Sequence, residues 1–274
     1  MSTYSILIVV AFVGLSQLGL FVFNLIQSQP PKQGNEVAGI MFGGISMIYS
    51  LVLAFVIVAV WENYEDLNKT IETETDKMNS IMAHTATLPD SLKKPLDLAL
   101  YSYCDQVIKQ EWKMKSPSEQ DQPSAIPGLR MMLLKHHPTG KVQEGVFNVI
   151  DIDLSAISDL RRDRLGHNRS QVPAIVWLIL KVGSVMLVVF SYFFNVQSQN
   201  LKRIYLFFLS SFIAMCMFLL YALDHPFNGS SAISCRPYTN IMTELKQYYV
   251  FNAGRSDAKI TPEFAIKWTV KRRR

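Results

Sequence analysis

Four long apolar runs divide the chain into two pairs. The runs cover residues 4–26, 37–60, 172–194 and 204–223. Each reaches the roughly 20 residues that an α-helix needs to cross a hydrocarbon core about 30 Å thick. A helix also satisfies its own backbone hydrogen bonds in lipid. The pattern therefore predicts two transmembrane hairpins, over residues 1–60 and 172–223.

The polar segment between the hairpins, residues 61–171, is predicted to form a helical domain. It holds 17 acidic and 14 basic residues, a composition typical of a water-exposed domain. Leu67, Ile71 and Met78 begin a helical apolar period directly after the second run, so the second transmembrane helix is predicted to continue into this domain as an amphipathic rod. Further helices are predicted over about 92–115, 126–136, 142–165 and, in the C-terminal tail 224–274, over 238–250.

Basic residues near the membrane ends give the orientation. With four crossings, both termini and the inserted domain share one side, and that side carries a cluster of four arginines before the third run: Arg161, Arg162, Arg164 and Arg169. The other side offers only Lys32, Lys202 and Arg203. Because cytoplasmic flanks carry the excess of Lys and Arg, both termini and the insertion are predicted to be cytoplasmic. The predicted fold is an all-α membrane protein with a cytoplasmic helical domain inserted between transmembrane helices 2 and 3.

The second transmembrane helix carries a face of small residues at steps of three or four. They are Gly39, Gly43, Ser46, Ser50 and Ala54. Such a face lets another helix approach closely. It indicates either packing within one chain, against the first or fourth helix, or packing around a symmetry axis with a central conduit. In the second case, larger side chains beside it are candidates for a constriction that gates by dewetting: Phe42, Tyr49, Phe55 and Ile57.

Charged residues near the membrane ends add candidate sites. The arginine cluster would make a positive vestibule in a ring of subunits, whereas Glu62, Glu65 and Asp66 would make an acidic ring at the inner mouth. Lys181 is the only charged residue within an apolar run. It indicates either a functional charge within the membrane or a lysine whose long aliphatic side chain lets the ammonium reach the headgroups.

The sequence contains few features that are typical of enzymes. The chain shows no nucleophile with a base, no metal-ligand set and no cofactor motif, so neither an enzyme, nor a metal, nor a cofactor is predicted. Nucleic acid is not an expected partner, because the insertion is net acidic and the formal charge of +5 comes from the membrane flanks and the tail.

Short motifs at the joints between membrane and insertion occur in a characteristic order. They are Trp61-Glu62-x-Tyr64, Glu72 with Glu74, Leu88-Pro89, Tyr103, Glu111-Trp112, Arg161-x-x-Arg164, Pro173 with Trp177, and Asp224-x-Pro226-Phe227-x-Gly229. This ordered set resembles the bestrophin-like family of bacterial membrane proteins, named for a distant similarity to bestrophin anion channels. The resemblance extends to about Leu245.

The resemblance implies a homo-oligomer of the bacterial inner membrane, with the pentamer of bestrophins as the favoured form and helix 2 around an axial pore. It gives the leading prediction of an ion channel that passes small anions such as chloride. The expected partners are other copies of the chain, the lipid bilayer with its anionic headgroups, and inorganic ions. A cation channel of the same architecture, and a non-conducting scaffold or sensor whose cytoplasmic helices bind a protein, are the alternatives.

The motif after the fourth run is predicted to be a structural turn, formed by Asp224, Pro226, Phe227 and Gly229. Pro226 cannot continue the helix and Gly229 permits a positive φ. Asp224 is expected to pair with an arginine of the 161–169 cluster. In animal bestrophins an acidic run that binds calcium follows such a turn, but residues 228–231 here read Asn-Gly-Ser-Ser, so calcium gating at this place is not predicted.

Overall fold

The computed structural model describes residues 3–26, 35–113, 126–136, 138, 140–167, 172–196, 198–227 and 232–253. In these ranges every regular element is a helix, as the sequence predicted. The α-helices are α1 (Thr3–Ile26), α2 (Asn35–Thr85), α3 (Asp90–Lys109), α4 (Ile126–Leu134), α5 (Lys141–Gly166), α6 (Ala174–Ser191), α7 (Gln199–Asp224) and α8 (Arg236–Ala253), and a short 3-10 helix covers Glu111–Lys113.

Four of the described helices are long and apolar enough to cross a membrane. They are α1, α2, α6 and α7, and they contain most of the four predicted runs. At most a third of the residues in their most apolar windows are buried within the chain. Long apolar side chains that remain exposed in this way are expected for helices that face lipid or other helices.

The chain divides into two compact units. Unit 1 contains Met1–Asp66 and Arg169–Ala232, and unit 2 contains Leu67–Asn168 and Ile233–Arg274. Unit 1 therefore holds α1, α6, α7 and the first part of α2, whereas unit 2 holds the rest of α2 with α3, α4, α5 and α8.

In unit 1, α1 packs along α7, and tyrosines join these helices to α6. Tyr192, directly after α6, donates a hydrogen bond to the backbone oxygen of Ser16 on α1 at 2.8 Å. Its ring lies over Gly19, where a Cβ would meet the hydroxyl oxygen at 2.6 Å. Leu20, Leu187 and Leu206 close the apolar core around it.

A second tyrosine fixes α2 within unit 1. The Tyr49 hydroxyl donates to the backbone oxygen of Leu180 on α6 at 3.2 Å and lies 3.8 Å from the sulfur of Met217 on α7. Its ring lies against Gly183, where a Cβ would meet Tyr49 Cδ2 at 2.6 Å. A glycine at position 183 is therefore required for α2 to approach α6 so closely.

In unit 2, α2 continues to Thr85, which confirms the predicted rod. In this unit α2 has a seam of buried positions at alternating steps of four and three: Leu67, Ile71, Glu74, Met78, Ile81 and Thr85. Such a seam is what an amphipathic helix buries against its neighbours. α3 packs against α8 and α4 packs against α5, and their apolar seams complete the core of unit 2.

Several helix ends differ from the sequence prediction, among them the start of α7, which lies at Gln199 rather than at 204. α3 ends at Lys109 rather than near residue 115, because the chain tightens into the 3-10 helix that buries Glu111. α6 ends at Ser191 rather than 194, and Phe193 and Phe194 then pack edge-on against Phe23 and Phe42. Apolar composition continues past the helix end in this turn, so hydropathy alone overestimates its length.

We expect Gly183→Ala to lower the free energy of unfolding of the purified protein by about 1–3 kcal/mol, the usual cost of overpacking a filled core. Gly14→Ala is the matched control, because Gly14 also lies in a membrane-length helix but has no atom within 4 Å of the added Cβ. Thermal unfolding in detergent measures both. Equal melting temperatures for the two variants would contradict the close approach of Tyr49 to α6.

Candidate functional site

The face of α2 that packs within unit 1 is made of larger apolar side chains. They are Phe42, Ile45, Tyr49, Leu53, Val56, Ile57 and Val60. Phe42, for example, contacts Phe190 and Phe194 with ring centroids 5.6 and 5.4 Å apart. Three of the four residues proposed from the sequence as constriction candidates, Phe42, Tyr49 and Ile57, therefore lie against the core of their own chain.

The small residues of α2 lie beside this packed face. Gly43, Ser50 and Ala54 are exposed, whereas Gly39 and Ser46 are half-buried. A Cβ added at Gly43 would meet no atom within 4 Å. Packing within the described part of the chain therefore leaves Gly43, Ser50 and Ala54 of the small face uncovered.

A second exposed stripe of α2 continues the helical period with larger side chains. In unit 1 it contains Ile40, Gly44, Met47, Leu51, Phe55 and Val58. Phe55, the fourth constriction candidate, is 67% exposed. The stripe therefore presents an apolar surface of α2 that the chain itself does not cover.

The same helical period carries charged residues where the apolar run of α2 ends. Glu62, Glu65 and Asp66 are exposed at the end of unit 1, and Lys69, Glu72 and Asp76 are exposed on the portion of α2 within unit 2. The exposed residues of α2 after Val60 thus include five carboxylates and one ammonium. None of the six forms a salt bridge within the described ranges.

One arginine of the 161–169 cluster lies in the core of unit 2. Arg164 on α5 is 1% exposed. Its Nε donates to Glu74 Oε2 on α2 at 2.9 Å, and its Nη2 donates to Glu111 Oε2 on the 3-10 helix at 2.8 Å. Burial opposes the charge of the guanidinium, but the carboxylate of Glu74 raises the pKa of Arg164 above its ordinary value. The group is therefore a buried cation held by two carboxylates.

Arg161 lies on the same side of α5, one turn earlier, and pairs with the same Glu111. Its Nη2 contacts Glu111 Oε1 at 2.8 Å, and its side chain is 13% exposed. Arg162 differs, because its side chain is 78% exposed and it pairs with Asp159 at 3.3 Å. Arg169 lies outside the described residues. Of the three described arginines, only Arg162 presents its charge fully to solvent.

Two tyrosines satisfy the remaining acceptors of Glu74. The hydroxyls of Tyr103 on α3 and Tyr238 on α8 donate to its carboxylate oxygens at 2.5 and 2.8 Å. Burial, together with the charge of Glu74, raises the pKa of both tyrosines well above the ordinary value, so both stay protonated as donors. We call Glu74, Glu111, Arg161, Arg164, Tyr103 and Tyr238 the buried ionic cluster.

The sequence contained a signal for the buried ionic cluster. Glu74 occupies a seam position of α2, between Ile71 and Met78, where an amphipathic helix places an apolar residue. A charged residue on a buried seam requires a partner. Reading the arginines as vestibule charges overlooked this, because the partner lies 90 residues away in the chain.

The turn after α7 is organised by Asp224, which is buried. Its carboxylate accepts hydrogen bonds from the backbone nitrogen of Val172 at 3.1 Å and from the indole Nε1 of Trp177 at 3.2 Å. Pro226 is buried in the turn that ends the helix, and Phe227 follows it half-buried. Gly229 and Arg169 lie outside the described residues, and the predicted pairing of Asp224 with an arginine of the 161–169 cluster stays a prediction.

Metal and acid–base chemistry have little support in the described ranges. No group of three or more His, Cys, Asp or Glu is placed there to hold a metal ion. The buried ionic cluster pairs its carboxylates with guanidinium and tyrosine donors. It can fix helices in place, but it offers no reactive group to a substrate.

Four membrane-length helices, together with a helical unit built on buried ion pairs, define an all-α membrane protein. A model of the Bestrophin-like domain matches residues 9–238 of the chain. The chain therefore belongs to the Bestrophin-like family. No match is found among curated proteins.

Solved structures show the same fold at low sequence identity. Two single-residue mutants of a bacterial bestrophin homologue from Klebsiella pneumoniae are similar to this chain. One has a TM-score of 0.67 at 13% identity, covering 88% of this chain and 97% of the homologue. The other has a TM-score of 0.65 at 12% identity, covering 89% and 100%. The fold of the Bestrophin-like family is thus shared, although few residues are.

We expect Arg164→Ala to destabilise the protein by about 3–5 kcal/mol, because it leaves the carboxylates of Glu74 and Glu111 buried without their shared cation. Arg162→Ala removes the same side chain from an exposed position of the same helix, and its expected cost is within about 0.5 kcal/mol. Thermal unfolding and the rate of proteolysis within residues 67–168 measure the difference. Similar losses for both variants would contradict the role assigned to Arg164.

Proposed function

We propose that this protein is an oligomeric ion channel in which the exposed side of α2 lines the conduction path, and that this path favours cations. The observation that carries the proposal is the exposed stripe of α2. Its positions recur at steps of three and four, apolar from Ile40 to Val58 and mainly acidic from Glu62 to Asp76. Repeated around an axis, an apolar stripe followed by carboxylates on one helix would supply the two elements that channels use, a hydrophobic constriction and rings of charge.

Several copies of α2 can come close together because the small residues beside the stripe are uncovered. Gly43, Ser50 and Ala54 are exposed in the single chain. Small residues allow membrane helices to approach at backbone distance. We therefore propose that neighbouring copies of α2 pack through this face around a common axis, in a closed ring. A pentamer is the form that the family resemblance suggests.

The sign of the permeant ion follows from the charges that remain exposed on α2. Repeated around an axis, five carboxylates against one ammonium per chain give a strongly negative potential, which concentrates cations. The predicted preference for anions came from the family resemblance, and the arginine cluster was its support among the residues. Arg164 and Arg161 are instead paired with carboxylates, and Arg162 pairs with Asp159. Cation selectivity therefore has the better support.

The constriction is proposed to lie at Phe55 and Leu51, not at the other candidates from the sequence. These two side chains are 67% and 55% exposed and are adjacent on the stripe of α2. Rings of apolar side chains can close a narrow pore by excluding water. The proposed orientation is the one that the flanking charges predict, with both termini and residues 61–171 on the cytoplasmic side of the inner membrane and the transmembrane helices arranged as two hairpins.

The first test is ion selectivity in planar bilayers with purified full-length protein. Under a gradient of potassium chloride, the reversal potential is expected to shift towards the equilibrium potential of potassium. A shift towards that of chloride would reverse the proposed sign but keep the channel. Complete absence of single-channel currents would contradict the channel itself.

Charge substitutions on α2 then test the lining. Glu65→Gln is expected to lower cation conductance, and Lys69→Gln is expected to raise it, because each changes the potential of the exposed stripe in the opposite direction. Both effects should be largest at low salt, since the Debye length falls from about 10 Å at 0.1 M to about 3 Å at 1 M. Glu144→Gln, an exposed charge loss on α5, is the control. Unchanged conductance in both α2 variants would show that α2 does not line the path.

A further inference from the structure

We propose that Lys181, together with the ring of Trp177, forms a binding site for the headgroup of an anionic phospholipid on the exposed surface of the helices of unit 1. This inference goes beyond ion conduction, because it concerns the surface that the membrane-length helices present to lipid. It rests on three observations: the position of Lys181, the fixed orientation of Trp177, and the aromatic patch that continues from it.

Lys181 lies on an exposed face of α6. The neighbouring side chains on this face are apolar and largely uncovered, with Leu178, Val182 and Val185 between 48% and 55% exposed. Within the described ranges no carboxylate pairs with the Lys181 ammonium. An ammonium on such a face would be costly in hydrocarbon. It therefore requires either water or an anionic group at its own depth.

The side chain of Lys181 runs towards the end of α6 that begins at Ala174. Lys181 lies seven residues from that end, which is about 10 Å along the axis at 1.5 Å per residue. Side chains on a helix lean towards its N-terminus, and Nζ lies 5.4 Å from the centroid of the Trp177 ring, one turn earlier. The ammonium is thus directed to the depth at which tryptophan rings lie beside headgroups.

Trp177 is held by a buried partner. Its indole Nε1 donates to the carboxylate of Asp224, and the same carboxylate accepts from the backbone nitrogen of Val172 at the start of α6. The ring therefore has a fixed orientation, with one edge towards the core and a face beside Lys181. A cation near a fixed aromatic face loses less freedom when it binds an anion, because its position is already restricted.

The aromatic surface continues beyond Trp177. Tyr221 on α7 lies edge-on to Trp177 with centroids 6.5 Å apart, and His225 stacks on Tyr221 at 4.3 Å. Tyr221 is 48% exposed. Amphipathic rings of this kind are typical of the boundary between hydrocarbon and headgroups. One lysine, an oriented indole and a phenol therefore meet where a lipid phosphate would lie.

The net charge of the headgroup is what the site should distinguish. A phosphatidylglycerol headgroup carries a net negative charge, whereas phosphatidylcholine carries a phosphate neutralised by its own ammonium. Attraction of one lysine to an anionic lipid surface is worth about 1 kcal/mol, or about a fivefold change in affinity. Phosphatidylglycerol is therefore the probe, and phosphatidylcholine is the comparison.

The experiment uses delipidated full-length protein in detergent, titrated with each lipid and followed by native mass spectrometry and by the shift in melting temperature. Wild-type protein is expected to bind phosphatidylglycerol more tightly than phosphatidylcholine. Lys181→Gln should weaken the binding of phosphatidylglycerol about fivefold, whereas Lys181→Arg should retain most of it. Lys94→Gln removes an exposed lysine of α3 and should change nothing.

Unchanged phosphatidylglycerol affinity in Lys181→Gln would overturn the proposal, and so would equal affinity of the wild type for the two lipids. The melting temperature without lipid shows whether the variant is folded. A second measurement needs no variant: a photoactivatable phosphatidylglycerol should label peptides of α6 around Lys181 in the wild-type protein. Labelling confined to other helices, as expected if another copy of the chain covers this patch, would also overturn it.

Discussion

The burial of one guanidinium determines how unit 2 is assembled. Arg164 can leave water only where carboxylates and hydrogen-bond acceptors are already in place, since an unpaired buried charge costs several kcal/mol. Glu74 comes from α2 and Glu111 from the 3-10 helix, while Tyr103 and Tyr238 bring in α3 and α8. Five helical segments, spread between Glu74 and Tyr238 in the sequence, therefore meet around one charge.

The helices of unit 2 were predicted well because their apolar and polar residues alternate with a helical period, as expected where one face of each helix meets water. Leu67, Ile71 and Met78 follow a helical period with polar residues between them, so the continuation of α2 was clear. Within the membrane-length helices both faces are apolar, and the period does not separate the packed face from the exposed one. Phe42 and Phe55 look alike in the sequence, yet Phe42 packs in its own chain and Phe55 does not.

The arginines show why a count of charges is a poor guide to a potential. In Arg161-x-x-Arg164, the spacing of three places both side chains on one face of α5, and that face is buried against acidic partners. Arg162, between them, points to solvent. A cluster that seemed to offer several positive charges therefore has most of them neutralised, while the carboxylates exposed on α2 keep their full effect. The sign of a surface potential depends on which charged residues form ion pairs with residues of other helices. A single sequence does not show these pairs.

Within each unit, α2 is locked against turning about its own axis. In unit 1, the Tyr49 hydroxyl is bonded to α6 and its ring fills the space over Gly183. In unit 2, turning α2 by one residue would withdraw Glu74 from Arg164 and leave the guanidinium short of a counter-charge. Both sets of contacts resist rotation of α2 about its own axis, one in each unit. In the proposed channel, a gate that worked by twisting α2 would have to break both contacts, so opening and closing are expected to come from small rotamer changes of exposed side chains while α2 keeps its place within each unit.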